Sequence, residues 1–160
     1  MSYQSWFKNH GKKHKGIVLK LVSKGYSKKR IIDYFEFENM TGLEPDFCPL
    51  YENTQKCHDI PHLNCYFCGC PFFRFHSDGI PKSNGVKMYS YCHIHSQFGR
   101  QISFDKATHQ DCSQCPLPHG RRYVSSHFDF SWFNAMRNCE NAEGRIYRIH
   151  SPCRGILNLK

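Results

Sequence analysis

Residues 64–71, with the sequence Asn-Cys-Tyr-Phe-Cys-Gly-Cys-Pro, constrain the fold of this chain more than any other segment. They carry three thiols within six residues, and side chains so close in sequence cannot all point away from one another. Eight of the ten cysteines of the chain lie between residues 48 and 115. In a reducing compartment, dense cysteine at Cys-x-x-Cys spacing indicates metal ligands rather than disulfides. The sequence therefore predicts a domain organised around metal ions.

Two Cys-x-x-Cys pairs, Cys65/Cys68 and Cys112/Cys115, have the spacing at which two sulfurs bind one zinc ion. Two such pairs at a distance are typical of one four-ligand tetrahedral site, which leaves Cys48, Cys57, Cys70 and Cys92 for a second site. Cys70 lies two residues beyond Cys68, so we expect these two side chains to face different ions, in sites that interleave along the chain. The assignment of individual thiols to sites stays open at this point. The complete set of predicted metal ligands is Cys48, Cys57, His58, Cys65, Cys68, Cys70, Cys92, Cys112, Cys115 and His119.

Zinc is the metal that the sequence favours, and two ions are expected. Histidines beside the cysteines suit zinc. Aliphatic residues are sparse between residues 48 and 130, and a structural zinc ion can supply folding free energy on the order of 10 kcal/mol. The alternative is an iron–sulfur cluster, because the run Cys-x-x-Cys-x-Cys-Pro resembles iron–sulfur ligation.

Motifs typical of catalysis are not visible in the sequence. It contains no His-Glu-x-x-His, no deaminase-like His-x-Glu and no phosphate-binding glycine loop. The sequence therefore favours a zinc-stabilised binding module over an enzyme. The alternative is a redox or catalytic role, at an iron–sulfur cluster or at a zinc ion that keeps an open coordination position.

Three groups of residues together form a pattern known from one family. They are Cys57-His58, residues 64–71, and residues 111–115 (Asp-Cys-Ser-Gln-Cys) followed by Pro118-His119. With these motifs, residues 47–123 resemble the cysteine-rich small domain, a zinc-finger-like family of proposed metal-binding domains. The chain departs from the family pattern after Cys92, where His-Ile follows instead of Gly-Gly. The resemblance implies metal binding and no particular reaction.

Positive charge is concentrated at the N-terminal end of the chain. Nine of the 22 lysines and arginines lie in the first 32 residues, which contain no acidic residue. The remaining basic residues balance the 13 acidic ones, so the formal charge of +9 resides in this arm. Such an arm attracts nucleic acid, an acidic protein or another polyanion. The alternative is internal, because lysines can also compensate the negative charge of metal-bound thiolates.

The sequence also bears on location. No stretch approaches the roughly 20 apolar residues of a membrane span. The early apolar run, residues 16–19, is interrupted by Lys20 and is not followed by a signal-peptide cleavage site. We therefore expect a cytoplasmic protein.

Residues 1–44 are predicted to form the basic arm and short helices. We expect residues 1–14 to be irregular, with His10 and His14 solvated, and a short helix over residues 17–24. Ser27 is a good N-cap for a second helix, from Lys28 to about Met40.

Residues 45–125 are predicted to form the metal-binding domain, made of loops, turns and short strands. Within it, the polar and turn-rich residues 76–90 are interpreted as a surface insertion. The fold class that the sequence predicts is a small, loop-rich α+β domain of zinc-finger-like type, stabilised by metal and flanked by helices.

Residues 126–160 are predicted to pack on this domain as a helix and a strand. The helix is expected from Trp132 to about Asn141, and the strand over residues 145–150. Cys139 and Cys153 lie outside the cysteine cluster, so one is expected to be a buried small apolar side chain and the other a free thiol.

Overall fold

The computed structural model describes residues 2–140 of the chain. This part contains five α-helices and a four-stranded mixed sheet, joined by loops and turns. The small α+β fold that the sequence predicts is thereby confirmed. The helices are α1 (Tyr3–Ser23), α2 (Lys28–Tyr34), α3 (Phe37–Leu43), α4 (Arg121–His127) and α5 (Trp132–Ala135). The strands are β1 (Phe73–Pro81), β2 (Lys87–Cys92), β3 (Arg100–Phe104) and β4 (Ala107–Asp111).

The N-terminal arm is a helix, so the prediction of an irregular segment over residues 1–14 was wrong. Ser2 caps α1 by accepting a hydrogen bond from the amide of Ser5. His10 and His14 are 5% and 0% exposed, which also contradicts their predicted solvation. The physical reason is that both rings pack against aromatic side chains from distant parts of the chain. The ring of His10 lies 4.6 Å from that of Phe47, and the ring of His14 lies 4.5 Å from that of Tyr66.

The predicted helix from Lys28 to Met40 is two helices with a break at Phe35 and Glu36. Its predicted cap is confirmed, since the Ser27 side chain accepts a hydrogen bond from the amide of Arg30. The break arises because the main chain here pairs with the cysteine-rich segment. The Cys65 amide donates to the Phe35 carbonyl at 2.7 Å, and the Phe37 amide donates to the Leu63 carbonyl at 2.8 Å. The interrupted helix thus holds the first Cys-x-x-Cys turn in place.

The sheet has the strand order β1-β2-β4-β3. β1 and β3 pair antiparallel with β2 and β4 respectively, and β2 runs parallel to β4. Residues 76–90, predicted as a surface insertion, are instead the strands and turn of the β1–β2 hairpin. Their polar composition reflects a sheet that is largely exposed to water, since an antiparallel sheet can face solvent on one side.

The core is aromatic and lies between α1, α5 and the segment that precedes β1. Its centre holds Trp132, Tyr66, Phe35 and Phe67, each with at most 1% of its surface exposed. The residues of the core come from all three segments that the sequence predicts, 1–44, 45–125 and 126–160. Residues 76–116 contribute none of them.

The C-terminal helix begins at Trp132 as predicted but ends at Ala135 rather than near Asn141. The helix ends early because the main chain beyond it pairs with β1, where the Phe75 amide donates to the Cys139 carbonyl at 2.9 Å. Cys139 is buried, in agreement with its prediction as a small apolar side chain. The predicted strand at residues 145–150 and Cys153 lie outside the described residues.

Candidate metal centre

Cys57, His58 and His119 bring three donor atoms together, all within 4.8 Å of one another. The sulfur of Cys57 lies 3.1 Å from Nδ1 of His58 and 3.9 Å from Nε2 of His119. Within residues 2–140, no other three cysteine, histidine or acidic side chains converge this closely. Cys57 and His58 belong to the loop after α3, and His119 precedes α4, so tertiary folding builds this group.

Backbone carbonyls orient both imidazole rings. Nδ1 of His119 lies 2.9 Å from the carbonyl oxygen of Asn64, and Nε2 of His58 lies 3.1 Å from that of Cys112. A carbonyl oxygen only accepts, so these ring nitrogens carry the protons and the opposite nitrogens offer lone pairs toward Cys57. Burial lowers the pKa of His119 to about 4, which keeps its ring neutral at pH 7. Zinc-binding histidines are oriented in this way.

Three further thiols, Cys48, Cys65 and Cys68, lie beside Cys57 and His119. Together with Cys57 and His119 they line a cavity of about 20 Å³, which has room for a single ion. The pKa of Cys65 is raised to about 12, mainly by burial and in part by the nearby Cys57 and Cys48. Burial likewise raises the pKa of Cys68. We call these five residues, Cys48, Cys57, Cys65, Cys68 and His119, the first set.

The other four predicted cysteines, Cys70, Cys92, Cys112 and Cys115, lie near one another and form what we call the second set. The pKa of Cys70 is raised to about 12, mainly by burial and in part by Cys112, Cys92 and Cys115. Cys92 ends β2 and Cys112 follows β4. Because these two strands are parallel, they deliver both thiols to the same edge of the sheet. The Ser96 amide donates to the Cys92 sulfur at 3.4 Å.

A tight turn at Gly69 divides the two sets. Gly69 has a φ of +102° and Cys70 a φ of +58°, both in the left-handed region. These angles turn Cys70 away from Cys68 and toward the second set. A Cβ at Gly69 would lie 2.9 Å from the Trp6 ring, so a larger residue would displace a packed tryptophan. The two Cys-x-x-Cys pairs therefore belong to different sets and do not form the shared four-ligand site that their spacing suggested.

The donors are of the kind that zinc prefers. Thiols this close would repel one another as thiolates unless a cation neutralised them, and metal binding displaces their protons. The Tyr51 hydroxyl is buried and has no hydrogen-bond partner within the described residues. It lines the same small cavity as the first set, where a metal-bound thiolate would offer it an acceptor. The residues thus fit a metal ion in chemistry and in surroundings.

Three supporting residues were not found from the sequence. They are Tyr51, Asn64 and Ser96, whose hydroxyl oxygen lies 3.3 Å from the sulfur of Cys115. Tyr51 and Ser96 act on side chains that are distant in sequence, so no motif marks them. Asn64 belongs to the motif of residues 64–71, but its main-chain carbonyl orients His119, which a side-chain motif does not reveal. The histidines at 93 and 95 lie in the turn after β2 and do not join the converging donors.

A cleft of about 490 Å³ opens beside the second set, between the start of α1 and the end of β2. This volume is much larger than one ion requires and lies within the range of small-molecule sites. Cys57, His58 and His119 also line it. Its remaining wall is mostly apolar and includes Trp6, Phe72, Phe73, Ile94 and Leu117.

Comparisons of the chain with models of protein families, with curated proteins and with solved structures gave no match. The resemblance to the cysteine-rich small domain therefore stays a prediction. Within residues 2–140, no helix combines the length and the apolar character that crossing a membrane requires.

Proposed function

We propose that this chain binds two zinc ions and that the domain they stabilise serves as a binding module for nucleic acid or another polyanion. The observation that carries the proposal is the convergence of Cys57, His58 and His119, with both imidazoles oriented by carbonyls. Membership of the cysteine-rich small domain family is part of the same proposal and rests on the motifs alone.

The first ion would take its ligands from the first set, with His58 as a competing donor, and the second ion from the second set. Four thiolates around one zinc make a closed, structural site. Such a site contributes folding free energy rather than reactivity. The location that fits these ligands is the cytoplasm, where thiols stay reduced. All nine cysteines in the described part of the chain are free.

The polyanion would bind the exposed side of α1. Lys8, Lys12 and Lys15 are exposed and spaced four and three residues apart, so they share one face of the helix. We call these three residues the lysine face. Within the described residues none of them forms an ion pair. They point away from the core that covers the cysteines, which favours an external partner over compensation of thiolate charge.

One observation favours the alternative function. The cleft beside the second set is larger than a zinc ion requires, and Cys57, His58 and His119 line it. An iron–sulfur cluster at these cysteines, or a zinc ion with a free position toward the cleft, would support a redox or catalytic role.

Elemental analysis and an absorption spectrum of protein purified without oxygen separate these functions. We expect about two zinc ions per chain and no visible colour, because zinc has a filled d shell. Iron with labile sulfide and a brown chromophore would contradict the zinc proposal and establish the alternative.

Binding to heparin and to oligonucleotides at several salt concentrations tests the polyanion proposal. The triple variant Lys8→Gln, Lys12→Gln, Lys15→Gln should weaken binding to single strands. The slope of log K against log salt, which is negative, should also become shallower by about 2, since each lost phosphate contact removes about 0.7 from its magnitude. The matched control removes the same charge elsewhere, at Lys24, Lys82 and Arg137. An equal loss in both variants would show that net charge, not the lysine face, attracts the partner.

A further inference from the structure

Three aromatic rings stack across three adjacent strands of the sheet. His109 on β4 lies between Tyr89 on β2 and Phe104 on β3. The centroids of the Tyr89 and His109 rings are 5.3 Å apart with a 9° angle between the planes, and those of Phe104 and His109 are 5.4 Å apart with a 15° angle. We call these three residues the aromatic ladder.

The ladder ends on an open face. β3 is an edge strand of the sheet, and Phe104, which ends it, is 60% exposed. One face of the Phe104 ring packs on His109, and within the described residues no other aromatic ring packs on Phe104. Because the three planes are nearly parallel, one more planar ring can extend the stack at the sheet edge.

Tyr3 on α1 holds the central ring of the aromatic ladder in place. The Tyr3 hydroxyl lies 2.9 Å from Nδ1 of His109 and 3.1 Å from the hydroxyl oxygen of Ser90. These contacts fix the central ring, so the stacking surface is formed before a ligand arrives, which lowers the entropic cost of binding. They also join the ladder to the first turn of α1. Lys8 follows Tyr3 by five residues, about 7.5 Å along the helix axis.

Charge near Phe104 is mixed. Phe104 on β3 pairs with Ala107 on β4, and Ala107 pairs with Lys87 on β2. Lys106 directly precedes Ala107 in the chain. Both lysines are exposed, while Asp105 in the same turn offsets part of their charge. The ladder would therefore contribute stacking, and the lysine face would supply most of the attraction for phosphate.

We propose that the free face of Phe104 is a stacking site for one base of a single-stranded nucleic acid. This inference rests on the proposed binding of polyanions and narrows it to single strands. Every nucleobase has a π face, and stacking on an aromatic side chain is worth about tenfold in affinity per base, or more. In a duplex the faces of the bases are covered by their neighbours, so the site selects single strands over duplexes.

The test measures the affinity of the metal-loaded full chain for three probes at one low salt concentration. The probes are a fluorescein-labelled oligothymidine of about 12 nucleotides, a duplex of the same length, and heparin, which has no bases. Phe104→Ala should weaken binding of the single strand about tenfold and leave binding of the duplex and heparin unchanged. Phe104→Trp keeps a ring and should retain the affinity. The matched control is Phe130→Ala, since Phe130 is also exposed, at 54%, but lies outside the ladder.

Each other outcome contradicts the inference in a distinguishable way. If Phe104→Ala binds the single strand as tightly as the unchanged chain does, the base-stacking site is wrong while the polyanion proposal stands. If binding of heparin falls equally, the ring supports the fold and not a base. If none of the probes binds although two zinc ions are present, both the inference and the polyanion partner are wrong. If only an acidic peptide with one tryptophan is sensitive to Phe104→Ala, the ladder recognises protein.

Discussion

The helices and the sheet of this molecule are stabilised in different ways. The helical part, residues 2–75 and 117–140, supplies every member of the buried core. The sheet part, residues 76–116, supplies hydrogen-bonded strands and three of the four thiols of the second set. The buried side chains of the sheet part include the small polar Ser90 and Thr108.

This difference indicates where metal matters most. Burial of apolar surface contributes about 25 cal/mol per Å², so the aromatic core can stabilise the helical part without an ion. Strands without a packed apolar face are marginal in water. The sheet part should therefore depend on the second ion, which would tie the ends of β2 and β4 to Cys70. The predictions that follow test this division, from the largest expected effect to the smallest.

Loss of the second ion should unfold the sheet part alone. Cys92→Ala combined with Cys112→Ala removes two ligands, and the binding free energy of a structural zinc is on the order of 10 kcal/mol. Hydrogen exchange should then become fast in β2, β3 and β4 while α1 stays protected. Cys139→Ala, at a buried cysteine outside both sets, is the control and should keep the sheet protected. Unchanged protection in the double variant would mean that the sheet needs no metal.

Truncation of Trp132, at the centre of the core, should destabilise the helical part and leave the second ion bound. Trp132 is 1% exposed and its indole N–H donates to the Cys68 carbonyl at 3.1 Å. Trp132→Ala should lower the free energy of unfolding by about 3–5 kcal/mol, as large core truncations do, with the second ion retained. Denaturant unfolding and zinc analysis measure the two effects. Simultaneous loss of the second ion would show that the two parts are not separable.

Acid should weaken the helical part through its buried histidines. Burial, with a smaller contribution from Lys13, lowers the pKa of His10 from 6.5 to about 4. Between these pH values His10 binds a proton in the unfolded chain but not in the folded chain. The free energy of unfolding therefore keeps its full value with respect to His10 above pH 6.5 and decreases as the pH falls toward 4. His10→Phe should remove about 3 kcal/mol of this pH dependence.

The measurement for this variant is denaturant unfolding at pH 7 and at pH 4.5, beside the unchanged chain. Release of metal in acid affects both proteins, so the difference between them isolates His10. Identical pH dependence would mean that folding does not lower the pKa of His10.

The surface ion pair of the sheet should matter least. Arg100 donates to the Asp111 carboxylate at 2.8 Å, and the arginine side chain is 76% exposed. Arg100→Gln should change the free energy of unfolding by less than about 1 kcal/mol, as is usual for exposed pairs. A larger loss in thermal or denaturant unfolding would show that the sheet depends on its surface charges, contrary to its proposed dependence on metal.

The sequence predicted those parts of the fold that local chemistry determines. The cap at Ser27 and the start of α5 at Trp132 follow from side chains next to the helix. The separation of Cys68 from Cys70 could be argued from spacing, and these two thiols do lie in different sets. The grouping of the other thiols could not be derived, because it depends on parallel pairing between β2 and β4.

The errors share one physical cause, which is packing against distant residues. Lysines and one glycine interrupt residues 1–14, so the local pattern gave no amphipathic helix, yet Phe47, Tyr66 and Trp132 create a site for His10 and His14. Likewise, the break between α2 and α3 is caused by pairing with the segment around Cys65, which lies about 30 residues further along the chain.

Anomalous diffraction at the zinc absorption edge would test the central claim most directly. In crystals of the metal-loaded chain we predict two peaks, one among Cys48, Cys57, Cys65, Cys68 and His119 and the other among Cys70, Cys92, Cys112 and Cys115. A single peak, a peak shared by both sets, or a signal that appears only at the iron edge would contradict the proposal of two separate zinc sites.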